Sequence, residues 1–249
     1  MRKLSEQAME SVLSVNLSQL LALSDLMEVV ANNIANANTT GFKGDRLTFR
    51  EYLMQDPDSA EVSLVQEAGV YVDHAQGPAT MTGGPFDFAI EGEGFFVLET
   101  PDGPRYTRAG HFQLDAERQI VSAEGFPVRG EGGQPLALAS EDTVVEVSQD
   151  GTIAAESGVI GRLEIVRFEN LDGLAKRGGG LFESAEEPVP VTEARILQGA
   201  LEESNVQPVL EITSMIELVR QYQSAQRSNE MLHELQRQAV ETLLSTNSA

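Results

Sequence analysis

The chain has 249 residues, 41% apolar and 22% charged, with 17 basic side chains against 39 acidic ones for a net charge of −22. This composition supports a folded core and excludes a disordered acidic tail, a collagen-like repeat or a low-complexity chain. Cysteine is absent, which excludes disulfides, thiolate metal sites and thiol nucleophiles.

In chain order, the first element is helical. After Arg2 and Lys3, Ser5, Glu6, Gln7 and Glu10 prevent a continuous apolar core, so the start does not read as a signal peptide. From Ser11 to Asn36, Leu13, Leu17, Leu20, Leu23, Met27, Val30 and Ile34 step by three or four and form one apolar stripe. Asn16, Gln19, Asp25 and Glu28 interrupt it, so it is no membrane span. Asn36, Asn38, Thr39, Thr40 and Gly41 end the run, with Gly41 suited to a left-handed cap. From about Val62 to Glu183 the pattern is strand-like. Val62–Val65, Val70–Val72, Phe95–Leu98, Val144–Val147 and Leu163–Val166 are predicted strands. Pro101-Asp102-Gly103-Pro104 is a predicted hairpin turn. Asp56-Pro57-Asp58-Ser59-Ala60-Glu61 lacks the glycine and late glutamate of a calcium loop and reads as solvated chain.

A second helix is predicted from Val209 to about Leu244, opened by Pro208. Its stripe is Ile212, Ile216, Val219, Tyr222, Gln226, Met231 or Leu232, Leu235, Ala239 and Leu243. The economical arrangement pairs the two terminal helices as an α-helical coiled coil. The predicted fold is therefore α+β. Residues 1–36 and 208–249 form paired terminal helices, 37–80 and 185–207 an extended connecting region, and 81–184 a central antiparallel β domain. Charge divides the same way: residues 1–50 are neutral overall, 205–249 carry −2, and the middle carries −20. Such a surface repels nucleic acid and anionic membranes. Repulsion between copies is smallest at the ends.

No catalytic constellation is visible. His74, His111 and His233 are far apart and lack the spacing of metal sites. There is no nucleophile elbow, Walker loop or dinucleotide fingerprint. Gly92-Glu93-Gly94 reads as a turn into a strand. Paired carboxylates are expected by chance among 39 acidic residues, and a chain with no Trp and 4 Tyr offers few sugar platforms. The reading is no enzyme, no cofactor and no metal.

The informative segments are the ends. In Ala31-Asn32-Asn33-Ile34-Ala35-Asn36-Ala37-Asn38-Thr39-Thr40-Gly41-Phe42-Lys43, helical spacing puts Asn32 and Asn36 on one face and Ala31 and Ala35 on another. Small residues allow close approach, and amides donate and accept in a crowded interface. This segment resembles the N-terminal signature of the flagellar basal-body rod and hook proteins. The stretch Thr82–Phe96 followed by Tyr106–Phe112 resembles that family's central block. Glu203-Ser204-Asn205-Val206, leading to Met215-Ile216 and Arg220-Gln221-Tyr222, resembles its C-terminal block. Leu17–Leu20, Phe49–Leu53 and Arg105–Arg108 look like the proximal-rod branch, with the distal-rod branch the near rival. The run Gln223-Ser224-Ala225-Gln226 departs from the Asn-containing family pattern.

The resemblance implies a structural subunit of the bacterial flagellar rod. It would be exported by the flagellar export apparatus without a cleaved signal and located in the periplasmic basal body. It would pack through its terminal helices with copies of itself and other rod proteins in a helical tube, without membrane insertion or nucleic acid. The implied assembly residues are Ala31, Asn32, Asn33, Ile34, Ala35, Asn36, Asn38, Thr39, Gly41, Phe42 and Lys43, then Ser204, Asn205, Val206, Met215, Ile216, Val219, Arg220 and Tyr222. The alternative of a different class is a secreted acidic module that oligomerises and holds a ligand.

Overall fold

Helical periodicity at the two ends is realised as two long helices, α1 (Arg2–Ala35) and α2 (Pro208–Thr246). The computed structural model describes residues 2–54, 62–142, 144–191 and 194–246. The segment from Asp56 to Glu61 lies outside the described residues, as do the side chains of Leu13, Ala239 and Leu243. Helix α1 begins nine residues before Ser11, since positions 2–10 hold good helix formers and no Gly or Pro. Helix α2 has 39 residues and is thus about 58 Å long.

Between them the chain is β-rich and antiparallel. A long pair, β1 (Asp45–Met54) and β2 (Val62–Val72), comes first. The sequence reading placed β1 in the extended connection and saw β2 as two short runs. Next are β3 (Ala79–Met81), β4 (Phe88–Glu91), β5 (Phe95–Thr100) and β6 (Gly103–Thr107). The short β7 (Gln113–Leu114) and β8 (Ile120–Val121) pair with each other. Strands β9 (Val145–Val147), β10 (Thr152–Ala155) and β11 (Gly158–Arg162) make a three-stranded sheet. They are followed by β12 (Ile165–Arg167), β13 (Leu174–Arg177), β14 (Leu181–Ser184), β15 (Val189–Pro190), β16 (Arg195–Gln198) and β17 (Ala200–Glu202). The largest sheet has six strands in the order β13-β14-β6-β5-β12-β15.

Strand β5 explains the unbroken apolar run Phe95–Leu98. Phe96 and Leu98 enter one core cluster with Phe88, Phe112, Ile120 and Ile153, while Phe95 and Val97 enter another with Tyr106, Phe168 and Phe182. Successive strand side chains point to opposite faces, so a strand buried on both faces shows no alternation. The predicted turn at 101–104 joins β5 to β6, with Thr100 opposite Gly103 and Phe96 opposite Thr107. The run Leu163–Val166 starts as a strand only at Ile165, because Leu163 makes an isolated bridge to Gly130.

The chain forms two compact units. One contains Met1–Ile34, Asp45–Tyr71 and Gln207–Ala249; the other contains Ala35–Gly44 and Val72–Val206. Among the described residues no helix is long and apolar enough to cross a membrane.

Candidate assembly interface

The N-terminal motif divides between the two units, and its residues differ sharply in environment. In the helical unit, Asn33 is buried at 2% exposure. Its Nδ2 donates to the Asp45 carbonyl at 2.9 Å, and its Oδ1 accepts from the Asp45 amide at 2.8 Å. The side chain thus copies a strand partner and pins the start of β1. Ala31 and Asn32 are exposed and Ile34 is half-buried.

In the β-rich unit, Ala35, Asn38 and Thr39 are exposed and Asn36 is half-buried, whereas Gly41, Phe42 and Lys43 are buried. Gly41 has φ of +66° and lies six residues past the end of α1, so it does not cap that helix. Its requirement is space as well: a Cβ there would lie 2.4 Å from the Arg108 carbonyl carbon and the Ala109 nitrogen. The Gly41 amide donates to the Glu202 carbonyl at 2.7 Å. Phe42 packs with Ala37 and Val206, and the Lys176 ammonium sits 3.8 Å from its ring centroid.

Lys43 is the centre of a buried clasp. Its Nζ donates to Glu202 Oε1 at 2.5 Å and to the Ala75 carbonyl at 2.8 Å. Glu202, fully buried, also accepts from the Gly77 amide at 3.1 Å and from Arg108 at 3.2 Å. A second Arg108 nitrogen donates to the Gly92 carbonyl. Asn205 locks the same place: its Oδ1 accepts from the Gly44 amide, and its Nδ2 donates to the carbonyls of Asp73 and Ala75. Ser204 and Val206 are buried beside it. Burial pushes Lys43 below the usual lysine range, against the opposing pull of Glu202. Arg108 is lowered for the same reason, with Glu202 again opposing. Glu202 escaped the sequence reading because its partners lie 159 and 94 residues away.

In α2 the predicted stripe is largely not the buried one. Ile212, Ile216 and Val219 are 48%, 49% and 38% exposed, and Arg220 is exposed. Met215 and Tyr222 are half-buried. Glu211 and Ala225 are buried instead, and half-buried Leu218 falls on their face, a spacing of seven. Glu211 faces Arg46 at 3.6 Å. Helix α1 likewise buries Leu23 and Val30 and leaves Leu17 and Leu21 57% exposed. Leu26, Val29 and Asn33 of α1 line a cavity with Glu211, Ser214 and Leu218 of α2.

The cluster of His111, Asp87 and Thr82 is not wired as a catalytic triad. His111 Nδ1 lies 2.7 Å from Asp87 Oδ1, a pair invisible in the sequence because 24 residues separate them. The nearby Thr82 hydroxyl, however, donates to Asp87 at 2.5 Å rather than to the imidazole. A nucleophile must give its proton to the base, and this wiring puts the carboxylate in the base's place. Among the described residues no three His, Asp or Glu side chains gather as a metal site.

Three family models match the chain. A flagella basal body rod protein model matches residues 15–43, a flagellar hook protein FlgE/F/G D1 domain model residues 89–155, and a flagellar basal body rod FlgEFG protein C-terminal model residues 197–242. The chain is 41% identical to the flagellar basal-body rod protein FlgF of Caulobacter vibrioides, over 96% of this chain and 100% of that protein. It is 33% identical to FlgF of Mesorhizobium japonicum over 87% and 90% of the two chains. It is 31% identical to the rod protein FlgG of Bacillus subtilis over 84% and 91%.

Proposed function

The chain belongs to the flagellar basal-body rod protein family, and from that premise we propose how it builds the rod. It is a structural subunit of the bacterial flagellar basal-body rod, not an enzyme, and it resembles FlgF more than FlgG. In the proposed arrangement the terminal segments 1–36 and 208–249 pair as a coiled coil and stack with copies of the chain and with other rod proteins in a helical tube. Segments 37–80 and 185–207 connect them to the β domain at 81–184. The subunit leaves the cell through the flagellar export apparatus and works in the periplasm as part of the drive shaft.

The observation that carries this reading is the outward apolar stripe of α2. Ile212, Ile216 and Val219 are exposed together on a helix of a strongly acidic chain, and contiguous exposed apolar surface marks an interaction site. The motif residues then divide their labour. Ala31, Asn32, Ala35, Asn38, Thr39, Ile216, Val219 and Arg220 are exposed and contact neighbouring subunits. Asn33, Gly41, Phe42, Lys43, Ser204, Asn205 and Val206 hold the subunit's own shape, with half-buried Ile34, Asn36, Met215 and Tyr222 at the margin. Deletion of the chain should abolish swimming and leave basal bodies without a completed rod, as seen by electron microscopy. A deletion strain that swims normally overturns the reading.

A further inference from the structure

We infer that an acidic groove on the helical unit receives two arginines from α2 of a second copy of this chain; the inference rests on the rod-subunit reading above. The groove, of about 400 Å³, is lined by the aliphatic Val29, Leu47 and Val70, the carboxylates of Asp25, Glu28 and Asp45, and the amide of Asn32. Val70 is 52% exposed, so the aliphatic lining is open to an apolar partner. Asp25 and Glu28 are three apart on α1 and share a face. They form no ion pair among the described residues. Carboxylates beside an aliphatic lining suit a long cationic side chain, whose stem covers the aliphatic groups while its head meets the carboxylates.

The complementary surface lies on α2. Ile216, Arg220, Arg227 and Met231 are spaced by four, seven and four, which places them on one helix face. Ile216 is 49% and Met231 65% exposed, and both arginines are exposed. This face is opposite the one that buries Glu211 and Ala225. Cations are scarce in this chain, 17 against 39 acidic residues. Several are tied to carboxylates, as Arg46 is to Glu211, Arg129 to Glu164 and Arg195 to Glu91. Arg220 and Arg227 make no such pair among the described residues. A mixed apolar and cationic stripe therefore stands without a partner on the same unit that offers an acidic groove with an apolar lining. Surface and groove lie on separate elements of one molecule, so repetition in a polymer lets each copy fill the next, a heterologous contact.

The test uses the full chain expressed in a strain that lacks it. Glu28→Arg and Arg220→Glu should each abolish the swimming halo, and the double variant, which restores the attraction with the charges exchanged, should recover it. The chain has no cysteine, so Glu28→Cys combined with Arg220→Cys gives a clean cross-linking probe. Oxidised basal bodies should then yield a band at twice the subunit mass. Single reversals that swim like wild type overturn the proposal. So does a double variant that fails to recover while the cysteine pair gives no dimer, or a cross-link to a different protein. None of these outcomes touches the rod-subunit reading, which falls only if the deletion strain itself swims.

Discussion

Replacing Glu202 by Gln keeps the shape of the buried clasp and removes its single negative charge. Two cations, Lys43 at 1% and Arg108 at 6% exposure, would then face each other across a neutral amide. Breaking a buried pair by removing one partner costs about 3–5 kcal/mol, because the remaining charge is left in a poorly solvating interior. Lys43→Met is the informative contrast. It leaves Glu202 paired with Arg108 and still bonded to the Gly77 amide, and the Ala75 carbonyl keeps its bond from Asn205. That change should cost only about 1–2 kcal/mol, the scale of a lost hydrogen bond. A protein of this size loses roughly 2–4 °C of melting temperature per kcal/mol. Glu202→Gln should therefore lower the transition of the β-rich unit by roughly 6–20 °C, and Lys43→Met by roughly 2–8 °C. Near-UV circular dichroism, which reports the packing around Phe95 and Tyr106, reads the transition. If Lys43→Met proves the more damaging, or if Glu202→Gln melts with the wild type, the assignment of Glu202 as the shared counter-ion is wrong.

Gly41→Ala should destabilise the same unit by about 2 kcal/mol or more, since it forces a positive φ on alanine and drives its Cβ into the Arg108–Ala109 backbone; a thermal melt checks it. Asn33→Asp removes the donor to the Asp45 carbonyl and sets a carboxylate against it, at a cost of about 1–3 kcal/mol. Asn32→Asp, at an exposed site, should cost less than Asn33→Asp. Burial holds His74 below the ordinary histidine pKa, reinforced by the Lys43 charge, while the Leu171 backbone, Asp172 and Asp73 pull the other way. The unfolded chain therefore binds this proton more readily than the folded one. Stability should fall as pH drops below about 6.5, and His74→Asn should flatten that part of a melting-temperature profile.

Both helices were legible because periodicity survives in any window of a few turns, and their ends were marked by Pro208 and by the Asn-Thr run. The buried β5 strand was legible for the same local reason, as was its hairpin turn. Strand β1 was not, although Leu47 and Phe49 alternate with Arg46, Thr48 and Arg50. Polar residues at every second position looked like solvated connection until β2 paired with this strand, with Arg46 and Thr48 left exposed. The inward face of α2 was also misread. Apolar content alone favours Ile212, Ile216 and Val219, but Glu211 has an ion-pair partner in Arg46, a residue on a distant segment. A count of apolar periodicity cannot see such a partner. Glu202 illustrates the limit: among 39 acidic residues, nothing nearby distinguishes the one whose counter-ions arrive from the other end of the chain. The motif amides were read as one interface, yet Asn33 completes a backbone pairing inside its own unit.

The clasp also has a mechanical consequence. Residues 41–44 and 202–205 both belong to the β-rich unit, and the two are tied side by side by Gly41 to Glu202, Gly44 to Asn205 and Lys43 to Glu202. Tension that pulls residues 41–44 away from 202–205 loads these bonds together, in parallel. Bonds loaded in parallel share the force, so the two segments hold as one piece until several of them give way together.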